Sequence, residues 1–117
     1  MMTREKQVRA RYADGCLTVE ILGEVDHHSA RPLREEIDRQ LYLYRPSLFC
    51  LSLARVNFMD SSGLGLILGR LSLCRELGCP MRLTDVSERA ARLFRMAGLG
   101  RAEGLTVEEH TEKEGAR

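Results

Sequence analysis

Asp60, Ser61 and Ser62 stand side by side between two apolar segments. Before them runs Leu48-Phe49-Cys50-Leu51-Ser52-Leu53, and after them an apolar segment extends from Leu64 to Leu77. The first is short and apolar throughout, as in a buried strand; the second has the length of a helix. Two hydroxyls and a carboxylate therefore sit at a strand-to-helix turn. The first turn of a helix has backbone N–H groups without partners and a partial positive charge. A hydroxyl there can cap the helix, and a phosphate there would be held by the same free donors. The position suits a serine that is reversibly charged. On spacing alone, plain capping, typically worth about 1 kcal/mol, is the preferred account.

Other chemistries fit the residues less well. Ser61 with His27 and either Asp26 or Asp60 supplies the residue types of a hydrolytic triad. The nucleophile-elbow pattern G-x-S-x-G is absent, because Met59 stands where its first glycine belongs. A small serine hydrolase is thus the lesser alternative to a binding module, and no enzyme activity is expected. His27 and His28 are adjacent at a turn, with no Cys, Asp or Glu cluster of ligand spacing beside them. A structural or partner-contact role is expected for them, and no metal. Gly63-Leu64-Gly65 with Gly69 does not make G-x-G-x-x-G, and there is no P-loop lysine. These glycines are expected to permit close helix packing or the approach of a partner, and no cofactor is expected.

Composition narrows the partners. The 117 residues suffice for one domain with one modest core. Eighteen Lys and Arg against 17 Asp and Glu leave a net charge of +1, which gives no electrostatic case for nucleic acid or an anionic membrane. Aromatic residues make up 5%, without tryptophan, so a base-stacking surface is not expected either. Cys16, Cys50, Cys74 and Cys79 form no C-x-x-C pair and read as reduced thiols of a cytoplasmic protein. The first six residues have no apolar core behind them and do not read as a signal peptide. No apolar run approaches the roughly 20 residues that span a bilayer.

The elements that must position the turn alternate along the chain. Val8 to Tyr12 reads as a first strand, Ala13-Asp14-Gly15 as a hairpin turn, and the alternation of Leu17, Val19 and Ile21 as a second strand. Residues 23–28 read as a loop. A helix follows, capped by Ser29 or an earlier residue, with Pro32 in its first turn and Ala30, Leu33, Ile37, Leu41 and Tyr44 at helical spacing. Residues 48–53 make a third strand, apolar on both faces like a central parallel one. The helix from about Ser61 to Leu77, a short strand at 80–84 and a third helix capped by Ser87 complete the alternation, with Ala90, Leu93, Phe94 and Ala97 sharing one face of the last. Gly98 stands where a left-handed C-terminal cap belongs, with Leu99 to complete its apolar contact. Residues 101–107 add a last strand or short helix. The domain is expected over 5–107, with a polar, frayed tail at 108–117. The order is β-β-α-β-α-β-α: an α/β fold in which a single mixed sheet of four to five strands carries helices packed against it. A right-handed parallel crossover from the second strand to the third would bring loop 23–28 beside turn 60–63, at the carboxyl edge of the sheet.

On these residues the chain resembles the STAS-domain anti-anti-sigma factors, the family of anti-sigma factor antagonists. The resemblance rests on Phe58-Met59-Asp60-Ser61-Ser62-Gly63-Leu64-Gly65 with Ile67-Leu68-Gly69-Arg70, on Gly23-Glu24-Val25-Asp26-His27-His28, and on Arg92-Leu93-Phe94 with Met96 and Gly98-Leu99. Three motifs in the right order make the signal specific. It implies that Ser61 is the phosphorylated serine and reverses the preference for plain capping. It further implies a partner-switching cycle: the unphosphorylated protein binds an anti-sigma factor serine kinase and frees a sigma factor, here the sporulation sigma F. The kinase, using its own ATP, phosphorylates the antagonist, and a serine phosphatase restores it. The same mechanism in a general stress response is the alternative. The partner-contacting residues implied are Asp26 and His27 on one loop, Asp60, Ser62 and Gly63 on the other, and Gly65, Leu66 and Gly69 along the following helix.

A helical wheel of that helix leaves one question open. Leu64, Ile67, Leu68, Leu71 and Cys74 form a face for the sheet, while Leu66, Leu73 and Leu77 form a second stripe, with Ser61, Ser62, Gly65, Gly69 and Ser72 between. Either another helix covers the second stripe, or it is a docking strip beside the serine.

Overall fold

In a computed structural model, which describes residues 7–110, the alternating pattern resolves into strands β1 (Val8–Ala13), β2 (Cys16–Val25), β3 (Leu48–Met59), β4 (Met81–Val86) and β5 (Leu105–Glu109), with helices α1 (Ala30–Tyr44), α2 (Ser61–Glu76) and α3 (Glu88–Met96) between them. A 3-10 turn, Leu99–Arg101, precedes β5. The strands lie side by side in chain order, β1 antiparallel to β2 and every later pair parallel. The hairpin closes with Ala13 opposite Cys16, so Asp14 and Gly15 make the whole turn, at φ 53° and 81°. Positive φ at both positions matches the right-handed twist of the flanking strands, which is why an Asp-Gly pair sits there.

Strand order that never doubles back, joined by right-handed crossovers, puts all three helices on one face of the sheet. That face is the core. Leu17, Phe49, Met81 and Leu105 are in register across it, as are Val19, Leu51 and Leu83. Leu33, Ile37 and Leu41 of α1, Ile67, Leu71 and Cys74 of α2, and Ala91 and Phe94 of α3 close over them in one cluster. The opposite face carries Thr18, Cys50, Arg82 and Thr106 in register and is laced by the Arg82–Glu108 ion pair. Cys50 and Ser52 are buried there, but beneath neighbouring side chains rather than a second helical layer. All four cysteines are free, and burial pushes the Cys50 thiol up to about 11 and the Cys74 thiol up to about 12. Protonated at neutral pH, Cys50 and Cys74 act as small apolar groups.

Several expectations need correction. The strands outrun their apolar runs: β2 continues through Gly23 and Glu24 to Val25, and β3 to Met59, because the polar second face of the sheet lets a strand extend beyond its hydrophobic residues. β5 reaches Glu109, and the His110 N–H bonds the Val86 carbonyl, so the sheet takes in the first residues assigned to a polar tail. Residues 111–117 and the first six lie outside the described residues. In α3, Ala97 is exposed, because the helix ends at Met96 and Ala97 is already its C-terminal cap. Gly98 then takes φ 80°, and Leu99 is buried, as the left-handed cap requires. Tyr44 stacks on Tyr12 at 4.6 Å on the edge of the sheet instead of entering the core. The wheel of α2 is rotated: Leu68 is 43% exposed, while Leu66 and Leu73 are buried. α1 packs along α2, so α2 buries a side toward α1 as well as one toward the sheet.

Candidate functional site

Pairing between β3 and β4 ends at Ser52 opposite Thr84. Beyond that, β3 is held by β2 alone, through two irregularities in register, to a last pair of Val25 with Met59. The Asp60 N–H then bonds the Val25 carbonyl at 3.1 Å. Both turns of the expected site spring from this one junction: Asp26 follows Val25, and Ser61 follows Asp60. The parallel crossover thus brings the loop and the turn together as the element order anticipates.

The cap of α2 is Asp60. Its Oδ1 accepts the Ser62 N–H at 2.8 Å, and its carbonyl accepts the Gly63 N–H at 2.9 Å. Ser61 is the first helical residue, exposed, and takes no part in the cap. A Cβ on Gly63 would lie 2.4 Å from Met59 Cγ, so glycine lets the first turn of α2 close onto the end of β3. On the neighbouring loop, Asp26 Oδ1 accepts the N–H groups of His28 at 2.9 Å and Ser29 at 3.0 Å. Ser29 Oγ accepts the Asp26 N–H at 3.0 Å and donates to the Glu24 carbonyl at 2.8 Å. Ser29 occupies the cap position of α1 without a capping bond from its own side chain, and Asp26, three residues earlier, is the acceptor that holds this start of the helix. The Ser29 N–H, first among several causes, holds its carboxyl below the usual range. His27 and His28 are exposed with their rings 4.0 Å apart. Among the described residues, neither Asp26 nor Asp60 bonds a histidine ring, so no triad is assembled around Ser61. No group of His, Cys, Asp and Glu among the described residues could hold a metal ion.

Two hollows flank the turn. One, about 530 Å³, opens where β3 has outrun β4; Leu53, Val56, Phe58, Met59 and Leu93 give it apolar walls, with Ser61 and Arg89 on its rim. The other, about 440 Å³, lies between α1 and α2. His27, Arg31 and Arg34 stand on its α1 side, and Ser62, Gly65 and Gly69 on its α2 side. Its floor includes Leu66 and Arg70, which are 5% and 6% exposed. Arg70 Nε faces Asp38 Oδ1 of α1 at 2.7 Å without the alignment of a hydrogen bond, so this is a contact ion pair. Burial lowers the Arg70 pKa and raises that of Asp38, so desolvation outweighs their mutual attraction.

A family model described as the STAS domain matches residues 7–113. The chain belongs to the STAS family. Within it, the chain is 39% identical over 93 residues to the anti-sigma F factor antagonist of Paenibacillus polymyxa, covering 80% of each chain. It is 36% identical over 83 residues to the anti-sigma-B factor antagonist of Bacillus subtilis, covering 71% of this chain and 74% of that one. Among solved structures it is similar to the anti-sigma factor antagonist SpoIIAA in its unphosphorylated form, with a TM-score of 0.71 and 26% identity over 92% of this chain and 90% of that one. The phosphorylated form of SpoIIAA matches at a TM-score of 0.67 and 26% identity, covering 92% and 94%. This STAS domain is thus a member of the anti-sigma factor antagonist family, and its mixed five-stranded sheet is the family fold.

The STAS frame brings Asp26, His27, Asp60, Ser61, Ser62 and Gly63 to one edge of the sheet. Leu66 differs from the expected exposed strip: its side chain is 5% exposed and belongs to the core, reaching the surface only in the floor of the α1–α2 hollow. Gly65 and Gly69 do remain on the accessible side of α2, and an added Cβ at either meets nothing within 4 Å. Close helix packing is therefore not what these two glycines serve. Sequence reasoning missed Asp38, Arg34 and the buried position of Arg70. The available signal was helical spacing, which sets Arg70 between Leu66 and Leu73 on the side that faces α1.

Proposed function

We propose that this STAS domain is a phosphorylation-gated anti-sigma factor antagonist that does no chemistry of its own. Unphosphorylated, it docks through the junction of the 23–28 and 60–63 segments on an anti-sigma factor serine kinase, and a sigma factor is released. Ser61 is the switch. The observation that carries this is an exposed Ser61 hydroxyl on the first residue of a helix already capped by its neighbour. A kinase can reach it without breaking any bond of the fold.

A phosphoserine carries about −1.5 to −2 charges at neutral pH. At the start of α2 that charge is locally favourable by about 0.3–1 kcal/mol. The Ser62 and Gly63 N–H groups are already engaged by Asp60, so the dianion stays outward, beside the Asp60 carboxylate. A docking partner would have to desolvate it. ATP belongs to the kinase, a serine phosphatase reverses the modification, and the cycle is cytoplasmic with no nucleic acid or membrane involved. The relative at 39% identity, an anti-sigma F factor antagonist, supports the sporulation factor as the one released. The general stress response is the second reading.

The test is incubation with the cognate kinase and ATP, followed by peptide mapping. One phosphate on Ser61 is expected; phosphate on Ser62 or elsewhere would refute the assignment. Ser61→Asp should remain folded, melt at or slightly above the wild-type temperature, and bind the kinase weakly. Ser61→Ala should bind and never be inactivated. Because Asp60 supplies the cap, Ser61→Ala is also expected to fall within about 0.5 kcal/mol of wild type in stability. If Ser61→Asp melts the domain, the switch is conformational and this mechanism is wrong.

A further inference from the structure

The α1–α2 hollow holds positive charge that neither the fold nor the serine switch uses. Among the acidic residues along α1, Glu35 pairs with Arg31 at 3.3 Å, Glu36 with Arg39 at 2.7 Å, and Asp38 with Arg70 at 2.7 Å. Among the described residues Arg34 has no ion pair of its own, yet it lies within electrostatic reach of both Asp38 and Arg70. Two guanidinium groups thus share one carboxylate, which leaves one positive charge in excess. Arg31, paired with Glu35, and His27 also border the hollow, and no acidic side chain among the described residues lines it. A buried Arg70 at the floor disfavours an apolar occupant, which would strip the remaining solvation from a charged group. The space itself is kept by Gly65 and Gly69, each of which costs a helix interior about 1 kcal/mol relative to alanine and meets no internal neighbour that would require it. Ser62 borders the hollow one residue from Ser61, so a protein covering the switch also covers this site.

We infer that the hollow between α1 and α2 receives an acidic side chain of the anti-sigma kinase, whose carboxylate enters over Gly65 and Gly69 to meet Arg34 and Arg31. The inference rests on the reading of the chain as an antagonist of such a kinase, and it adds the chemistry that selects the partner. The Ser61 turn recognises a kinase; the hollow distinguishes a kinase that carries a matching acid from one that does not. A charge that is partly enclosed on binding contributes to lifetime as well as to encounter, while rim charges act mainly on the association rate.

The experiment measures kinase affinity by calorimetry for wild type, Arg34→Gln, Arg34→Glu and Arg31→Glu, from 50 to 500 mM salt, with ADP-loaded and nucleotide-free kinase. Arg34→Glu is expected to raise Kd at least tenfold and Arg34→Gln by a smaller factor. The salt dependence of both should be shallower than that of wild type, since one screened attraction is lost. Circular dichroism should show all variants folded; if Arg34→Glu is not, Arg34→Gln and the rim variant Arg31→Glu carry the test. Wild-type Kd in every folded variant overturns the inference while leaving the antagonist reading intact. A penalty confined to the ADP-loaded kinase identifies the anion as a nucleotide phosphate and overturns the carboxylate assignment. Competition by 10 mM inorganic phosphate, at matched ionic strength, points to a phosphate site and does the same. Failure of wild type itself to bind the kinase overturns the proposed function, and the inference with it.

Discussion

Gly65 and Gly69 allow the needs of the fold to be separated from those of docking, because alanine at either should strengthen one and weaken the other. Both lie inside α2, neither has positive φ, and an added Cβ meets nothing within 4 Å. With no clash and no lost contact, only backbone entropy changes. Glycine in a helix interior is about 1 kcal/mol less favourable than alanine, so the double variant should gain about 2 kcal/mol. At this chain length 1 kcal/mol moves the melting temperature by roughly 4 °C, which predicts a rise of about 8 °C. Gly63→Ala is the control in the same helix. There the new Cβ would sit 2.4 Å from Met59 Cγ and 2.7 Å from Met59 Sδ. Methionine is flexible enough to move aside, but overpacking of this kind costs about 1–3 kcal/mol, so a net loss of about 1 kcal/mol is expected. Removing the obstacle with Met59→Ala should turn the Gly63 substitution into a gain of up to about 1 kcal/mol in that background. Thermal unfolding followed by circular dichroism reads the stabilities, and calorimetry against the kinase reads the binding. The stabilised double variant should bind more weakly, since two methyl groups would stand where the partner approaches. Should it melt at or below the wild-type temperature, the claim that these positions are open is wrong. Should it melt higher yet bind as tightly as wild type, the glycines have no part in docking.

Two further outcomes are expected. Asp26→Asn keeps a side-chain oxygen able to accept from His28 and Ser29, and asparagine caps as well as aspartate, so the fold should persist while kinase binding or phosphorylation changes. Because the folded carboxyl titrates below its unfolded value of about 3.9, its stabilisation is present above that value and lost as pH falls through the lower folded pKa. The stability difference between wild type and Asp26→Asn should therefore shrink below about pH 4; an equal difference at pH 3 and pH 7 would contradict the hydrogen-bond assignment. Asp38→Asn leaves the Arg70 guanidinium buried without its counter-charge and should cost about 3 kcal/mol in urea unfolding, whereas Asp38→Leu with Arg70→Met should recover most of the loss. Equal stability of Asp38→Asn and wild type would show that Arg70 is better solvated than its burial implies.

The sequence made the site legible because turn chemistry is local. Asp60, Ser61 and Ser62 in one place, and Ser29 or an earlier residue in the other, mark where helices begin from residue types alone, and the order of elements places the two helix starts together. What it could not show depends on a neighbouring element. Whether Leu66 and Leu73 face a partner or the core is decided by α1, which no periodicity within α2 reveals. The same neighbour turns Arg70 from a surface arginine into a buried one by supplying Asp38. Strand ends were misplaced for a related reason. Apolar alternation stops near Leu53, yet β3 runs on to Met59 because β2 continues beside it, and polar side chains satisfy the open face.

That overrun gives the proposed electrostatic switch its structural basis. Because β4 leaves β3 at Ser52, the end of β3 has only β2 to hold it, and the Val25–Asp60 hydrogen bond fixes the turn from that side. The cap of α2 then comes from Asp60, which leaves the Ser61 hydroxyl without a structural duty. A group added to that hydroxyl changes the charge of the surface and none of the bonds beneath it. The solved forms of SpoIIAA, unphosphorylated and phosphorylated, match this structure at TM-scores of 0.71 and 0.67, so that protein keeps this fold in both states. Docking that depends on the serine can then be gated without unfolding any element, provided the partner must bury the site to bind. The hollow beside Ser62 supplies a reason for such burial, since a carboxylate seated over Gly65 would bring the partner surface across the first turn of α2 and onto the phosphate.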